Sequence, residues 1–228
     1  MTSLLAAAAF FVLIHLLVSG TRVRDALVGR IGEGPYMGLF SLASLAGIVW
    51  LSLAFGRARS APGNELIWGA ASVLRWVQVG LQLGAVSLVV LGLSTPNPTS
   101  VRQEAALDRP VQGVLRITRH PFLCGVAIWA IGHLLVNGDV ASMVLFASML
   151  LLTLFGTVSI DAKRRRALGS KWDAFAAQTS IIPFLAIAQG RQRLNIGEIG
   201  AWRLLLAVGV WAALLLGHPH LVGVPALP

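Results

Sequence analysis

Apolar residues in this chain come in long continuous runs, not in the period-two alternation of a half-buried strand or the stripe of a soluble amphipathic helix. Six runs stand out, at residues 3–20, 36–55, 72–94, 121–137, 140–160 and 199–217. Each approaches or reaches the roughly 18 to 20 helical residues that cross a hydrocarbon core. The pattern predicts an all-α, polytopic integral membrane protein with six transmembrane helices, forming a single transmembrane domain over residues 1–228. Between the fourth and fifth runs only Gly138 and Asp139 remain. Glycine suits a helix stop and aspartate the N-cap of the next helix, so these two spans should form an antiparallel hairpin. The long connection 161–198 has Leu168, Trp172, Phe175 and Ala176 at helical spacing among charges. It reads as a cytoplasmic amphipathic segment from Asp161 to Gln178, with Lys163-Arg164-Arg165-Arg166 facing lipid headgroups.

Composition strengthens this picture. Of the 228 residues, 56% are hydrophobic and 12% charged, and the mean hydropathy is +0.78. A soluble domain carries about a quarter charged residues, so that class is excluded. The net charge of +9 would fit a nucleic-acid partner only if the basic residues shared one soluble face. Instead they gather in alternate loops: fourteen Lys and Arg lie in 21–35, 95–120 and 161–198, against Arg57 and Arg59 on the other side. The positive-inside rule places those three loops in the cytoplasm and both termini outside, in an inner (cytoplasmic) membrane whose anionic headgroups are the main partner; no nucleic acid is expected. The first run lacks a preceding positive residue and a small-residue cleavage site, and reads as a retained anchor. The lone cysteine, Cys124, forms no intramolecular disulfide and reads as a buried small hydrophobe.

Candidate chemistry comes from polar residues inside the runs. His15 and His133 are costly in lipid, and each either bonds a neighbouring helix or ligates a metal or haem through a neutral imidazole nitrogen. Gly125, Trp129, His133 and Asn137 recur every four residues along the fourth run, where the glycine admits a flat ligand or another helix. His15 and His133 differ in depth by roughly 10 Å at about 1.5 Å per residue, so a shared haem would lie tilted. Arg75, Gln78 and Gln82 share a face of the third run, where interior packing is the simpler reading. Thr153, Thr157 and Asp161 form a similar stripe, whose threonines bond their own backbone. Arg116, Arg119 and His120 precede Pro121 at the cytoplasmic interface, either as headgroup anchors or as a pair of arginines holding a propionate or phosphate beside a titratable histidine. His218 and His220 read as an exposed tail.

The runs I-T-R-H-P-F-L-C-G-V-A-I-W-A-I-G-H at 117–133 and S-I-I-P-F-L-A-I-A-Q-G-R-Q at 180–192 carry a resemblance. Over essentially its whole length the chain resembles the NnrU family of bacterial membrane proteins, associated with nitrite and nitric oxide metabolism in denitrifiers. It is also similar to the membrane part of the zeta-carotene isomerases, haem b enzymes that isomerise a cis double bond. Two histidines hold the haem in those isomerases, one early in the chain and one after the Arg-His-Pro motif. The matching positions are His15 and His133, which the resemblance implies as iron ligands; the ridge of the fourth run adds Trp129 and Gly125, and the interface cluster Arg119 and His120, as residues around the cofactor. The isomerase cysteine three residues before its second ligand is Ala130 here, so a thiolate switch does not carry over. The implied function is haem b binding in the membrane with redox or nitrogen-oxide chemistry, or a haem-dependent cis–trans isomerase, taking a hydrophobic small molecule or a diatomic ligand. Arg119-His120-Pro121 with Gly125, Gly169, Trp172, Phe175 and Pro183 also resembles, more loosely, membrane methyltransferases that use S-adenosylmethionine. A non-enzymatic assembly or regulatory factor is the third alternative.

Overall fold

The computed structural model describes residues 1–227, and they are mostly helical. In chain order the helices are α1 (Thr2–Leu13), continued by a π-helical turn over Ile14–Ser19, α2 (Arg22–Ile31), α3 (Glu33–Arg59), α4 (Ser72–Ser94), α5 (Pro121–Val136), α6 (Val140–Leu168), α7 (Ser170–Gln178), the single turn α8 (Leu185–Ala188) and α9 (Ala201–Val222). Two short strands, β1 (Leu66–Gly69) and β2 (Asn137–Asp139), pair antiparallel. Among the described residues five helices are long and apolar enough to cross a membrane: α1 with its π turn, α3, α4, α6 and α9. The fourth apolar run is α5, whose sixteen residues rise about 24 Å at 1.5 Å per residue, less than the roughly 30 Å of a hydrocarbon core.

Local chemistry sets the breaks. Thr21 caps α2 by accepting from the Val23 N–H at 3.2 Å. Gly32, at φ +83°, turns the chain from α2 into α3, a conformation that a side chain disfavours. Pro121 stands at the first position of α5, where its missing N–H costs nothing. Asp139 caps α6, its carboxylate accepting from Ser142 N at 3.0 Å, as its position between two apolar runs predicts. Gly138 acts differently from the expected helix stop: it lies in β2 opposite Trp68. A Cβ there would meet the indole at 2.6 Å. Trp68 also donates its Nε1–H to Leu134 O at 3.2 Å, fastening the 60–70 loop to the α5–α6 hairpin.

The expected amphipathic helix from Asp161 to Gln178 is not continuous. α6 carries the Lys163–Arg166 run on its own last turns, and Gly169, at φ +54°, ends it before α7 begins. The apolar face of α7 does not meet lipid, because Trp172 and Phe175 are buried against Val111 and Leu115 of the 95–120 loop. The sequence periodicity is real, but protein covers it. α9 also runs on through Pro219 to Val222, beyond the expected end at 217.

The tightest helix pair is α4 with α5, and glycine is the reason. A Cβ on Gly92 would lie 2.6 Å from Phe122 N, and one on Gly125 2.6 Å from Ala85 O. Small residues let backbones approach where dispersion, not water exclusion, drives association. The other half of the bundle packs α1, α3, α5 and α6 around Leu4, Ala8, Leu51, Ala54, Ala130, Phe146 and Met149. Loops 21–35, 95–120 and 161–198 meet at one end, joined by Ser159 to Gly20, Arg164 to Glu104 and Arg116 to Glu198. The β1–β2 ribbon lies at the other end, since it abuts the start of α6.

Candidate functional site

His15 is the second residue of the π-helical turn that continues α1, a local widening of the helix that is frequent at functional positions. Its Nδ1 lies 2.7 Å from Phe11 O. A carbonyl only accepts, so Nδ1 carries the proton and a neutral imidazole leaves its lone pair on Nε2. The nearest partner of Nε2 is Ser44 Oγ at 3.5 Å, the outer limit of a hydrogen bond. Phe11 and Phe40 flank the ring, with centroids 4.4 and 5.2 Å away. Phe40 in turn stacks on Tyr36 at 5.9 Å, so Tyr36, Phe40 and Ser44 form one ridge of α3 beside His15.

His133 repeats this arrangement on α5. Its Nδ1 donates to Trp129 O at 2.8 Å, again leaving Nε2 with the lone pair. Phe146 stacks on the imidazole at 4.6 Å and 21°, and Trp129 lies 5.0 Å away. The Asn137 amide donates to His133 O at 3.0 Å. Trp129 belongs with His133, but Gly125 faces α4. Steps of four residues drift by about 40° around an α-helix, so a four-residue ridge turns away from one partner over three steps. Gln78 and Gln82 sit on the α4 side of this seam. Gln82 donates to Gln78 Oε1 at 3.1 Å, over Gly132. These two pack and bond within the bundle, as the interior reading has it, whereas Arg75, one turn earlier, is exposed.

The two histidines do not touch. Ser159 of α6 donates to Gly20 O, so His15 lies level with about Leu154, while Phe146, the ring partner of His133, is eight residues earlier. That is a depth difference of about 12 Å, close to the offset counted from the runs. Phe11 and Trp129, each bonded to one histidine through its carbonyl, pack into the same apolar cluster. Taken singly, each imidazole has the chemistry of an iron-porphyrin ligand, neutral, oriented by an Nδ1–H bond to backbone and with an available Nε2 and aromatic neighbours; one iron shared by both requires the depth offset between them to close. Among the described residues no group of three or more His, Cys, Asp or Glu could hold a bare metal ion.

Arg119 and His120 lie elsewhere, in a buried ion cluster at the loop end. Arg119 donates to Asp161 Oδ2 through Nε at 2.9 Å and Nη2 at 2.5 Å. His120 Nε2 donates to Asp161 Oδ1 at 2.7 Å. His120 Nδ1 is buried without a partner among the described residues. Thr153 and Thr157 do bond their own backbone, at Leu150 O and Leu154 O, but Asp161 at the end of their stripe is the acid these two basic side chains meet. Arg116 is a clamp: it forks onto Glu198 at 2.7 and 2.8 Å and reaches Gln192 at 2.7 Å. With Gly113 N–H donating to the same carboxylate, the Arg116 guanidinium pulls the Glu198 carboxyl down to about 2. Cys124 is buried against Thr118 and Ile181 O. His218 Nδ1 donates to Val224 O at 2.7 Å, while His220 is exposed.

Tyr36, Phe40, Ser44 and Phe146 are site residues that the charged and histidine pattern does not reveal. A signal existed in the four-residue spacing of the three on α3, hidden inside a uniformly apolar run.

A sequence profile of the family described as NnrU protein matches residues 3–226. The chain is similar to the chloroplastic 15-cis-zeta-carotene isomerases of Arabidopsis thaliana and Zea mays, each 32% identical over 104 residues, covering 43% of this chain and 28% of the relative. It thus spans under a third of the length of these relatives. No solved structure matches.

Proposed function

The chain belongs to the NnrU protein family, and from that premise we propose that it is an integral membrane haem b protein, ligated by His15 and His133, that isomerises a cis double bond in a hydrophobic polyene. The observation that carries this reading is the pair of imidazoles with Nδ1 tied to the carbonyl four residues earlier and Nε2 left as the donor atom. The relatives' name supplies the reaction class. When bound, haem b would supply one-electron redox chemistry and a coordination position for a double bond or a diatomic ligand.

The chain's own residues do the rest. The Phe11 and Trp129 carbonyls fix the tautomer and the orientation of the imidazoles. Phe40, Trp129 and Phe146 exclude water and offer flat apolar surface. Close packing of α4 on α5 at Gly125 and Gly132 fixes the helix that carries His133. In this reading the three basic loops face the cytoplasm and its anionic headgroups, α5 is the sixth span, and both termini lie outside in an inner membrane. A reporter fused at the C-terminus that is active only in the cytoplasm would overturn that orientation. Methyl transfer gains no support, because Arg119 and His120 of the Arg-His-Pro motif are taken up by Asp161.

The test is turnover. Protein in lipid nanodiscs, loaded with haem, is given 15-cis-zeta-carotene, and the isomers are separated by chromatography. Conversion by the wild type and none by His133→Ala supports the reading. No conversion of this or other cis-polyenes points to redox, nitrogen-oxide or non-enzymatic work instead.

A further inference from the structure

The buried Arg119–His120–Asp161 cluster neutralises the two basic residues best placed by sequence to hold an anion, and Glu198 neutralises Arg116. A different pair of cations at the same end lacks such a partner. Arg24 of α2 is mostly buried, with its side chain 21% exposed, and meets acids only at Asp25, 3.5 Å away, and Glu33, 3.3 Å away, both more than half exposed. Lys163 of α6 is half-buried, lies within charge–charge range of Arg24 and Arg164 and also of Asp25 and Glu104, and makes no ion pair or hydrogen bond among the described residues. Arg164 is already bound to Glu104 and Ser100 O. Two part-buried cations facing each other repel, and an anion shared by both relieves that cost.

A second observation stands at the same place. Tyr36 is 4% exposed, and its hydroxyl has no hydrogen-bond partner among the described residues. A buried O–H without an acceptor forfeits the hydrogen bond it made to water. The Arg24 guanidinium lies over the Tyr36 ring, 5.6 Å from its centroid. From Tyr36 the ridge runs through Phe40 to Ser44, the residue next to His15 Nε2. Eight residues of helix rise about 12 Å, so an aromatic wall connects an imidazole donor at one end to Arg24, paired only with exposed acids, to Lys163 and to a free hydroxyl at the other. That shape suits a flat ligand with acidic groups on one edge.

We propose that Arg24 and Lys163, with the Tyr36 hydroxyl as donor, form the seat for an anionic oxygen group at the loop end of the His15 site. The chemistry is that of a carboxylate or a phosphate, and its two sources are a haem propionate and a lipid headgroup. The inference rests on the haem reading for the first source and stands without it for the second.

Two binding measurements separate the cases. Purified protein is titrated with haem b and with its dimethyl ester, in which both carboxylates are capped, and the protein drawn from anionic-lipid nanodiscs is examined by native mass spectrometry for retained phosphatidylglycerol. The variants are Arg24→Gln with Lys163→Gln, the milder Tyr36→Phe, and Arg109→Gln as an exposed control, each first shown to run as a single folded species. If a propionate occupies the seat, wild type prefers haem over the diester by about ten- to a hundredfold. The double variant then loses that preference, and Tyr36→Phe loses part of it. Should wild type bind no haem, so that the haem reading fails, loss of retained phosphatidylglycerol in the double variant but not in Arg109→Gln still upholds the seat with a phosphate occupant. Equal haem and diester affinities together with equal lipid retention in wild type and double variant overturn it.

Discussion

Replacing Asp161 with Asn keeps its shape and removes its charge. The carboxylate takes three charge-assisted hydrogen bonds, at 2.5 and 2.9 Å from Arg119 and 2.7 Å from His120. The side chains of Asp161 and Arg119 are each 11% exposed and that of His120 1%. Water therefore cannot replace the lost partner, and Arg119 would keep an uncompensated charge. Breaking one side of a buried pair costs about 3 to 5 kcal/mol. Asp173, which pairs with Arg165 at 2.8 Å with both side chains more than half exposed, is the internal comparison. Asn at that position should cost under about 1 kcal/mol. Thermal unfolding in one detergent, followed by circular dichroism, gives both values. At about 2 to 4 °C per kcal/mol for a chain of this size, Asp161→Asn should lower the midpoint by roughly 6 to 20 °C and Asp173→Asn by a few degrees at most. Adding Arg119→Gln to Asp161→Asn should recover part of the loss, because the orphaned charge goes with it. Asp161→Asn behaving like Asp173→Asn, with no recovery in the double variant, would refute the claim that this cluster is a buried, mutually dependent unit.

Two further outcomes follow from the packing and the clamp. Gly125→Ala pushes a methyl group against the Ala85 carbonyl of α4 and should destabilise by about 1 to 3 kcal/mol. Gly84→Ala, which meets open space on the same helix, should be neutral or stabilise by up to about 1 kcal/mol, and detergent melting curves of the two compare them directly. The Glu198 carboxyl is depressed from 4.5 to about 2, so its clamp on Gly113 and Arg116 is fully present above about pH 4.5 and is lost as pH falls towards 2. Hydrogen exchange at Gly113, corrected for intrinsic rate, should lose protection over that window, and Glu198→Gln should remove the pH dependence.

Much of this fold is written in the sequence because a lipid environment demands it: each run of apolar residues must become a helix to satisfy its own backbone. The six runs coincide with α1 plus its π turn, α3, α4, α5, α6 and α9 to within a few residues, except that α3 and α6 overrun their apolar cores into the Arg57–Arg59 and Lys163–Arg166 ends and α9 runs on to Val222. Periodicity could not tell which partner a stripe meets. Leu168, Trp172 and Phe175 have the spacing of an interfacial helix, yet Trp172 and Phe175 bury against Val111 and Leu115, some 60 residues earlier. Likewise Arg119 looks like a ligand anchor until Asp161, 42 residues on, closes on it. The β1–β2 ribbon had no signal beyond Trp68, because pairing three residues with four needs a partner that the local sequence does not name. His15 and His133 were legible by their cost in lipid alone. The aromatic wall at Tyr36 and Phe40 was not, since those residues sit among others equally apolar.

The central claim is that His15 and His133 together hold one haem. The most direct measurement is the absorption spectrum of the purified, detergent-solubilised protein, oxidised and reduced, beside His15→Ala, His133→Ala and the double variant, all titrated with haem b. The account predicts one haem per chain with the spectrum of a six-coordinate low-spin b haem in the wild type. Each single variant should fall to a five-coordinate or weakly bound form, and the double variant should bind none. A wild-type protein that takes up no haem, or one whose spectrum and stoichiometry survive both substitutions, would contradict it.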